Sequence, residues 1–289
     1  MTAHLNERAR KQLETLDDAQ RRAIMGEPRW LPYPAATAAV AKMERLRTRQ
    51  RSSRTEGVAI LGPYRNGKTM VADFFMASET SQVRPSYYYQ VPTEATRLEF
   101  LSGMIAAMGR FPDPSRRTIE GRRRQLEELL DEAEPRVFIF DDAHHAFRGT
   151  AAKEVHTLIR TMGHRWDMSP VLIGDRTLAD VIHLDGELRS RLDNALLRRW
   201  EYDREFAVLL NSLVRVLPLQ RTSELTQTPL AQRIFTLSEG LVGEIVKIVT
   251  EAAALAVGGE ERITLDLIDT LGYVPLAKRF SAADLRGLA

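Results

Sequence analysis

The run Gly62-Pro63-Tyr64-Arg65-Asn66-Gly67-Lys68-Thr69 satisfies the pattern G-x-x-x-x-G-K-[ST] at every specified position. Each residue type has a chemical reason. The two glycines let backbone N–H groups curl around a phosphate, and Lys68 carries a point charge to the β and γ oxygens. The Thr69 hydroxyl is a hard oxygen ligand for Mg²⁺. The local context suits this chemistry, with an apolar run at 58–61 reading as a strand and a helical period starting at Lys68. Residues 62–69 are therefore expected to bind the phosphates of ATP, with Mg²⁺ as cofactor.

A second group lies at Arg136-Val137-Phe138-Ile139-Phe140-Asp141-Asp142, a short apolar run that ends in two acids. Beside a phosphate loop, the first acid, Asp141, is expected to help hold Mg²⁺, and the second, Asp142, to polarise the attacking water. Asp142 is one methylene shorter than the Glu that usually stands there. His144, His145 and His156 are close in sequence, but the chain has no cysteine to complete a metal set, and zinc is disfavoured. His144 is expected beside the nucleotide, and His145 and His156 as surface or packing residues. The third group is Gly186-Glu187-Leu188-Arg189-Ser190-Arg191-Leu192. A nucleotide held at a subunit boundary can take a cation from the neighbour on its γ-phosphate. Arg191 is the first candidate and Arg189 the reserve; an arginine-rich amphipathic helix is the plain alternative.

Such groups need a scaffold. From Gly57 onward short apolar runs alternate with helical periods, which predicts an α/β fold with a largely parallel sheet. Strands are expected at 58–61, 87–91, 137–140, 171–173 and 197–200, and helices at 68–77, 97–108, 119–132, 151–162 and 185–193. Beyond Arg204 the segments 204–217, 229–238, 241–257 and 264–271 all show helical spacing. Three parts follow: a helical arm at 1–30, an α/β ATPase core at 31–203 and a small all-helical lid at 204–289. A proline-rich stretch ends the arm, and a basic linker spans 47–57.

The 289 residues are 28% charged and 44% hydrophobic, a composition that supports a buried core. No apolar run nears the roughly 18 residues of a membrane helix, and the first residues are charged, so a cytoplasmic protein with no membrane partner is expected. Of 41 basic residues only 6 are lysine, but a net charge of +2 selects no partner by itself.

The phosphate loop, Asp141-Asp142-Ala143-His144, Val171-Leu172-Ile173-Gly174 and Leu188-Arg189-Ser190-Arg191-Leu192 together resemble an AAA+ ATPase of the initiator type. Tyr33-Pro34, Leu196-Leu197-Arg198-Arg199-Trp200, Leu217-Pro218-Leu219 and Leu237-Ser238-Glu239-Gly240 look like the transposition regulators TniB and TnsC, relatives of MuB. The resemblance covers roughly residues 30–260. It implies an AAA+ core followed by a helical lid, Arg191 as an arginine finger and Asp175 at the polar sensor position. It adds Tyr33 and Lys247 to the ATP-binding set, Lys247 one turn after Gly243, where initiators tend to carry arginine. It further implies an ATP-dependent helical filament on double-stranded target DNA in bacteria, associated with the nucleoid. Its partners would be a DDE transposase of the TniA or TnsB kind and a TniQ-like protein.

DNA contacts in such relatives follow the second strand. Thr93 and Arg97 fit that position, with Arg116, Arg117, Arg122, Arg123 and Arg124 next. Residues 122–124 could equally form a solvated helix face opposed by Glu127, Glu128, Asp131 and Glu132. Two other functions stay open: a helicase-loader-like ATPase acting on single strands, and a nucleotide-locked scaffold with negligible hydrolysis.

Overall fold

The computed structural model describes residues 3–50, 54–79, 84–147 and 149–279; positions 51–53 of the expected linker and 280–289 of the expected lid lie outside them. The chain opens with α1 (Glu7–Thr15), α2 (Asp18–Met25) and α3 (Pro34–Thr48). There follow β1 (Gly57–Leu61), α4 (Lys68–Ala77), β2 (Ser86–Gln90), α5 (Arg97–Ala107), α6 (Ile119–Ala133) and β3 (Val137–Asp141). Next come α7 (Ala152–Trp166), β4 (Ser169–Gly174), α8 (Arg176–Leu184), α9 (Gly186–Arg191) and β5 (Leu192–Leu196). The last helices are α10 (Arg204–Val216), α11 (Thr228–Ser238), α12 (Val242–Ala256) and α13 (Leu265–Thr270). The chain divides into two compact units, one of Pro34–Arg198 and one of Met1–Tyr33 with Arg199–Ala289.

The first unit is built on a parallel sheet in the order β2-β3-β4-β1-β5. Strands covered on both faces must be apolar throughout, and β3 and β4 are buried at every residue. Phe100, Phe138 and Phe140 stack between the sheet and α5. The edge strand obeys a looser rule. It lies at Leu192–Leu196 rather than at 197–200, and its Asp193 and Asn194 are exposed. An edge strand pairs on one side only, so it tolerates polar residues; Asp193 meets Lys42 at 3.0 Å and Arg45 at 3.1 Å. The helix expected at 185–193 accordingly stops at Arg191, and α8 was not foreseen. Asp175 caps α8 by accepting the Thr177 N–H at 2.8 Å, and Asp185 caps α9 through Glu187 and Leu188.

Among the described residues the second unit holds helices and no strand. Phe206, Leu209, Leu210 and Leu213 of α10 recur at helical spacing and share one apolar cluster with Ile245, Ile248, Val249 and Ala252 of α12. Residues 1–30 do not form a part of their own, because α1 and α2 belong to this unit. Arg21 of α2, 2% exposed, donates to both carboxylate oxygens of Glu261 at 2.9 and 2.7 Å and to the Pro218 carbonyl at 3.1 Å. Among the described residues no helix is long and apolar enough to cross a membrane.

The Arg21–Glu261 pair carries a stability prediction. Burial pushes the Glu261 carboxyl up, but Arg21 and the Gly258 and Gln220 N–H groups outweigh it and hold the carboxyl at about 2, against an ordinary 4.5. A depressed carboxyl contributes stability above its unfolded value and loses it as pH falls toward the folded one. Unfolding of the parent chain should therefore become easier between roughly pH 4.5 and 2. Arg21→Ala should cost about 3–5 kcal/mol at neutral pH, since it strands a buried carboxylate. Chemical denaturation at pH 7 and pH 3 checks both; a change under 1 kcal/mol (the range of exposed pairs) would contradict the assignment.

Candidate nucleotide site

The phosphate loop runs from the end of β1 into α4, as the sequence requires. Gly67 caps α4 in the left-handed region at φ 80°, where a side chain is strained. Gly62 is needed for a different reason, since a Cβ there would lie 2.4 Å from the Leu197 carbonyl oxygen. The Asn66 amide ties the loop to the same segment, donating to the carbonyls of Leu197 at 2.7 Å and Arg198 at 2.8 Å. The apolar-basic run after β5 is thus a carbonyl anchor for the loop and not a strand.

Lys68 is 8% exposed, and its ammonium donates to the carbonyls of Gly62 at 2.9 Å and Pro63 at 2.8 Å. An ammonium has three donors, so one remains for a phosphate oxygen. Burial lowers the Lys68 pKa, and Asp141, Asp142 and Asp175 work against that shift. The Thr69 hydroxyl donates to Asp141 Oδ2 at 2.7 Å, which joins the loop to the end of β3. Asp141 is 2% exposed, and its Oδ1 accepts the Asp142 N–H at 2.8 Å. Asp142 lies in the left-handed region at φ 51°, and the Gln90 amide reaches its Oδ2 at 3.4 Å.

This donor set fits a magnesium nucleotide. Mg²⁺ takes one or two protein carboxylates and hydroxyls together with phosphates and water, not an all-protein cage. Among the described residues no group of three or more His, Cys, Asp or Glu could hold a metal ion. Lys68, Thr69 and Asp141 are the residues that would hold the phosphate and the ion.

Asp175 stands nearby at the end of β4. Burial pushes its carboxyl up, yet hydrogen bonds from the Thr177 N–H and Tyr64 hydroxyl, with His144, hold it below the usual value. His144 is buried, 4.0 Å from Asp175 and with its ring against that of His145. His156 pairs with Asp185 at 3.2 Å instead, its ring edge against Phe147. Tyr33 and Lys247 belong to the other unit. There Tyr33 packs against Trp200 at 5.2 Å, with burial lifting its hydroxyl to about 12, and Lys247 lies 3.8 Å from Glu251.

Arg191 is at the opposite end of the sheet from the phosphate loop. Leu192 pairs with Gly57 at the start of β1, whereas the loop begins after Leu61 at its end. At about 3.3 Å per residue the length of β1 separates them. The guanidinium is held by Glu187 at 2.8 Å, and Glu187 also meets Arg160 at 2.7 Å.

The residues expected to face DNA are not alike. Thr93 is exposed, and Arg97, at the start of α5, donates to the Thr150 carbonyl at 2.7 Å. Arg116 meets Glu128 at 2.6 Å, and the exposed Arg117 bonds the Pro114 carbonyl. Arg122 is withdrawn from the set by its burial: 6% exposed, it bonds Gln125 and the Asp113 carbonyl, fastening the loop before α6. Arg123 is committed to Glu154 through two bonds at 2.8 and 2.7 Å. Arg124 is exposed and has no ion pair to another described residue.

The model of a bacterial protein family, TniB, matches residues 21–202. The chain belongs to the TniB family. No curated protein matches it. Among solved structures, this TniB chain is similar to CDC6P of Pyrobaculum aerophilum, 16% identical with a TM-score of 0.63 over 90% of this chain and 72% of that one. It is also similar to the Aeropyrum pernix ORC2 protein in its ADP form, 16% identical with a TM-score of 0.59 over 86% and 71%. The Aeropyrum pernix ORC1 protein in complex with DNA is 14% identical, with a TM-score of 0.62 over 86% and 68%. These likenesses show the fold, which is that of an AAA+ phosphate-loop protein with a helical C-terminal region. Sequence reasoning missed two residues that meet the acids, Tyr88 and Gln90 on β2. Side chains two apart on a strand share a face. Gln90 pairs with Asp141 in the β2–β3 register, so both project beside the acids.

Proposed function

We propose that this TniB-family chain is an ATP-dependent, oligomerising regulator that binds double-stranded target DNA and recruits a DDE transposase, with a TniQ-like protein as further partner. One observation carries the oligomeric part: the phosphate loop and Arg191 sit at opposite ends of β1, so a subunit's own arginine cannot serve its own nucleotide. A ring or filament that repeats head to tail brings the arginine end of one copy to the loop end of the next.

At such a junction Lys68 and the loop N–H groups orient the β and γ phosphates, and Arg191 of the neighbour neutralises charge on the γ oxygens. Thr69 and Asp141 would hold Mg²⁺, which would supply further charge neutralisation at the phosphates. Asp142 is the acid that orients water. Its short side chain and the Gln90 amide beside it favour slow turnover, which keeps a nucleotide-locked scaffold as the second reading. Measured turnover separates the two.

DNA binding is the reading that family membership and the fold shared with the Aeropyrum pernix ORC1 protein, solved in complex with DNA, support. With a net charge of only +2, each copy adds few phosphate contacts, so binding should be cooperative, ATP-dependent and indifferent to sequence. Arg97→Ala should weaken binding equally on two unrelated duplexes and flatten the salt dependence. Each lost phosphate contact removes about 0.9 from the slope of log affinity against log salt. Arg124→Ala should act in the same direction, and Arg122→Ala should act through stability instead. A salt titration with a non-hydrolysable ATP analogue checks this; a preference for single strands would favour the helicase-loader function.

A further inference from the structure

Tyr88 belongs to no phosphate-binding pattern, yet its hydroxyl donates to Asp141 Oδ2 at 2.8 Å. The same oxygen accepts the Thr69 hydroxyl at 2.7 Å, and Oδ1 accepts the Asp142 N–H at 2.8 Å. Three donors therefore fix both oxygens of one carboxylate. Their origins differ. Thr69 rides on the phosphate loop and the Asp142 N–H on the turn after β3, whereas Tyr88 rides on β2, paired to β3 through Tyr88–Ile139 and Gln90–Asp141. Tyr88 thus ties the carboxylate to the sheet, independently of the nucleotide-binding loop. Its ring is only half-buried, so packing does not demand a tyrosine there.

We propose that Tyr88 is a positioning residue that holds the Asp141 carboxylate in the orientation that receives Mg²⁺. This rests on the nucleotide site described above. A carboxylate free to rotate about its Cα–Cβ and Cβ–Cγ bonds must be ordered when the ion binds; one already held by a sheet-borne hydroxyl is not charged that entropy. Removing partners of metal ligands typically costs 10–100-fold in metal affinity. Tyr87 is the natural control, since the next residue on a strand faces the other way, and its ring packs on Phe138 at 5.9 Å.

The test is Mg²⁺ titration of the full chain with a fluorescent, non-hydrolysable ATP analogue, for the parent, Tyr88→Phe and Tyr87→Phe. Tyr88→Phe should raise the half-saturating Mg²⁺ concentration about 10–100-fold, while nucleotide affinity in EDTA stays at the parental value and circular dichroism shows a folded chain. Tyr87→Phe should behave as the parent. In an Asp141→Ala background Tyr88→Phe should add nothing, because the group it positions is gone. An unchanged Mg²⁺ requirement, an equal loss of affinity in EDTA, or shifts that add in the double variant would overturn the proposal. A parent chain whose analogue binding ignores Mg²⁺ would instead contradict the nucleotide site itself, and this inference with it.

Discussion

Lys68→Ala should abolish ATP-dependent assembly and weaken nucleotide binding by about 10- to 100-fold. Hydrogen bonds to charged groups contribute about 1.5–3 kcal/mol, and the ammonium has one donor left for a phosphate oxygen. The geometry makes the loss specific. The lysine is buried against its own loop carbonyls, whereas Arg65, the loop's other cation, is exposed. Its removal also leaves the Gly62 and Pro63 carbonyls without their donor, which should loosen the loop but not the sheet behind it. Nucleotide titration and light scattering with ATP check the prediction, with circular dichroism as the control for folding. Normal affinity and normal assembly would contradict the assignment of the phosphate loop.

Arg191→Ala should lower turnover by ~10³–10⁵ while leaving a folded, nucleotide-binding monomer. The two halves of that statement come from different magnitudes. In the folded subunit Arg191 makes a helix pair with Glu187 four residues earlier, and such pairs are worth about 0.3–0.5 kcal/mol. Its loss is too small to unfold the chain, so a large effect on rate would not come from misfolding. Mixing separates a shared site from a private one. Subunits with Arg191→Ala and subunits with Lys68→Ala can form one junction in which both residues are intact, so mixtures should recover activity that neither variant has alone. No recovery at any ratio would mean that Arg191 acts within its own subunit or not at all.

The phosphate loop and the Asp141-Asp142 pair could be read from sequence because their chemistry constrains residue type and spacing at once. In the fold the Thr69 hydroxyl meets Asp141 Oδ2, which brings the loop and the acids together. The buried strands were legible for a similar reason, since a strand covered on both faces must be apolar. The edge strand was not. The run at 197–200 looked more strand-like than Asp193-Asn194, and only pairing with β1 reveals that β5 tolerates charge. Asp175 hid α8 because one carboxylate serves two purposes, capping a helix and standing beside the nucleotide site. The division of the chain was illegible too. Arg21 and Glu261 lie 240 residues apart, and nothing local to either announces the pairing. Tyr88 and Gln90 escaped notice because their significance comes from strand register. Among the arginines near α6, burial separates Arg122 from Arg124, a difference that three consecutive identical letters cannot express.

Nucleotide-dependent assembly on duplex DNA is most directly tested by electron microscopy of the full chain under four conditions, with and without a non-hydrolysable ATP analogue and with and without duplex DNA. Regular oligomers should appear on the duplex when the analogue is present and disappear when it is omitted. They should also fail to form when Arg191→Ala or Lys68→Ala replaces the parent. Assemblies that form equally without nucleotide, or a chain that stays monomeric on DNA with the analogue bound, would contradict a nucleotide shared between subunits.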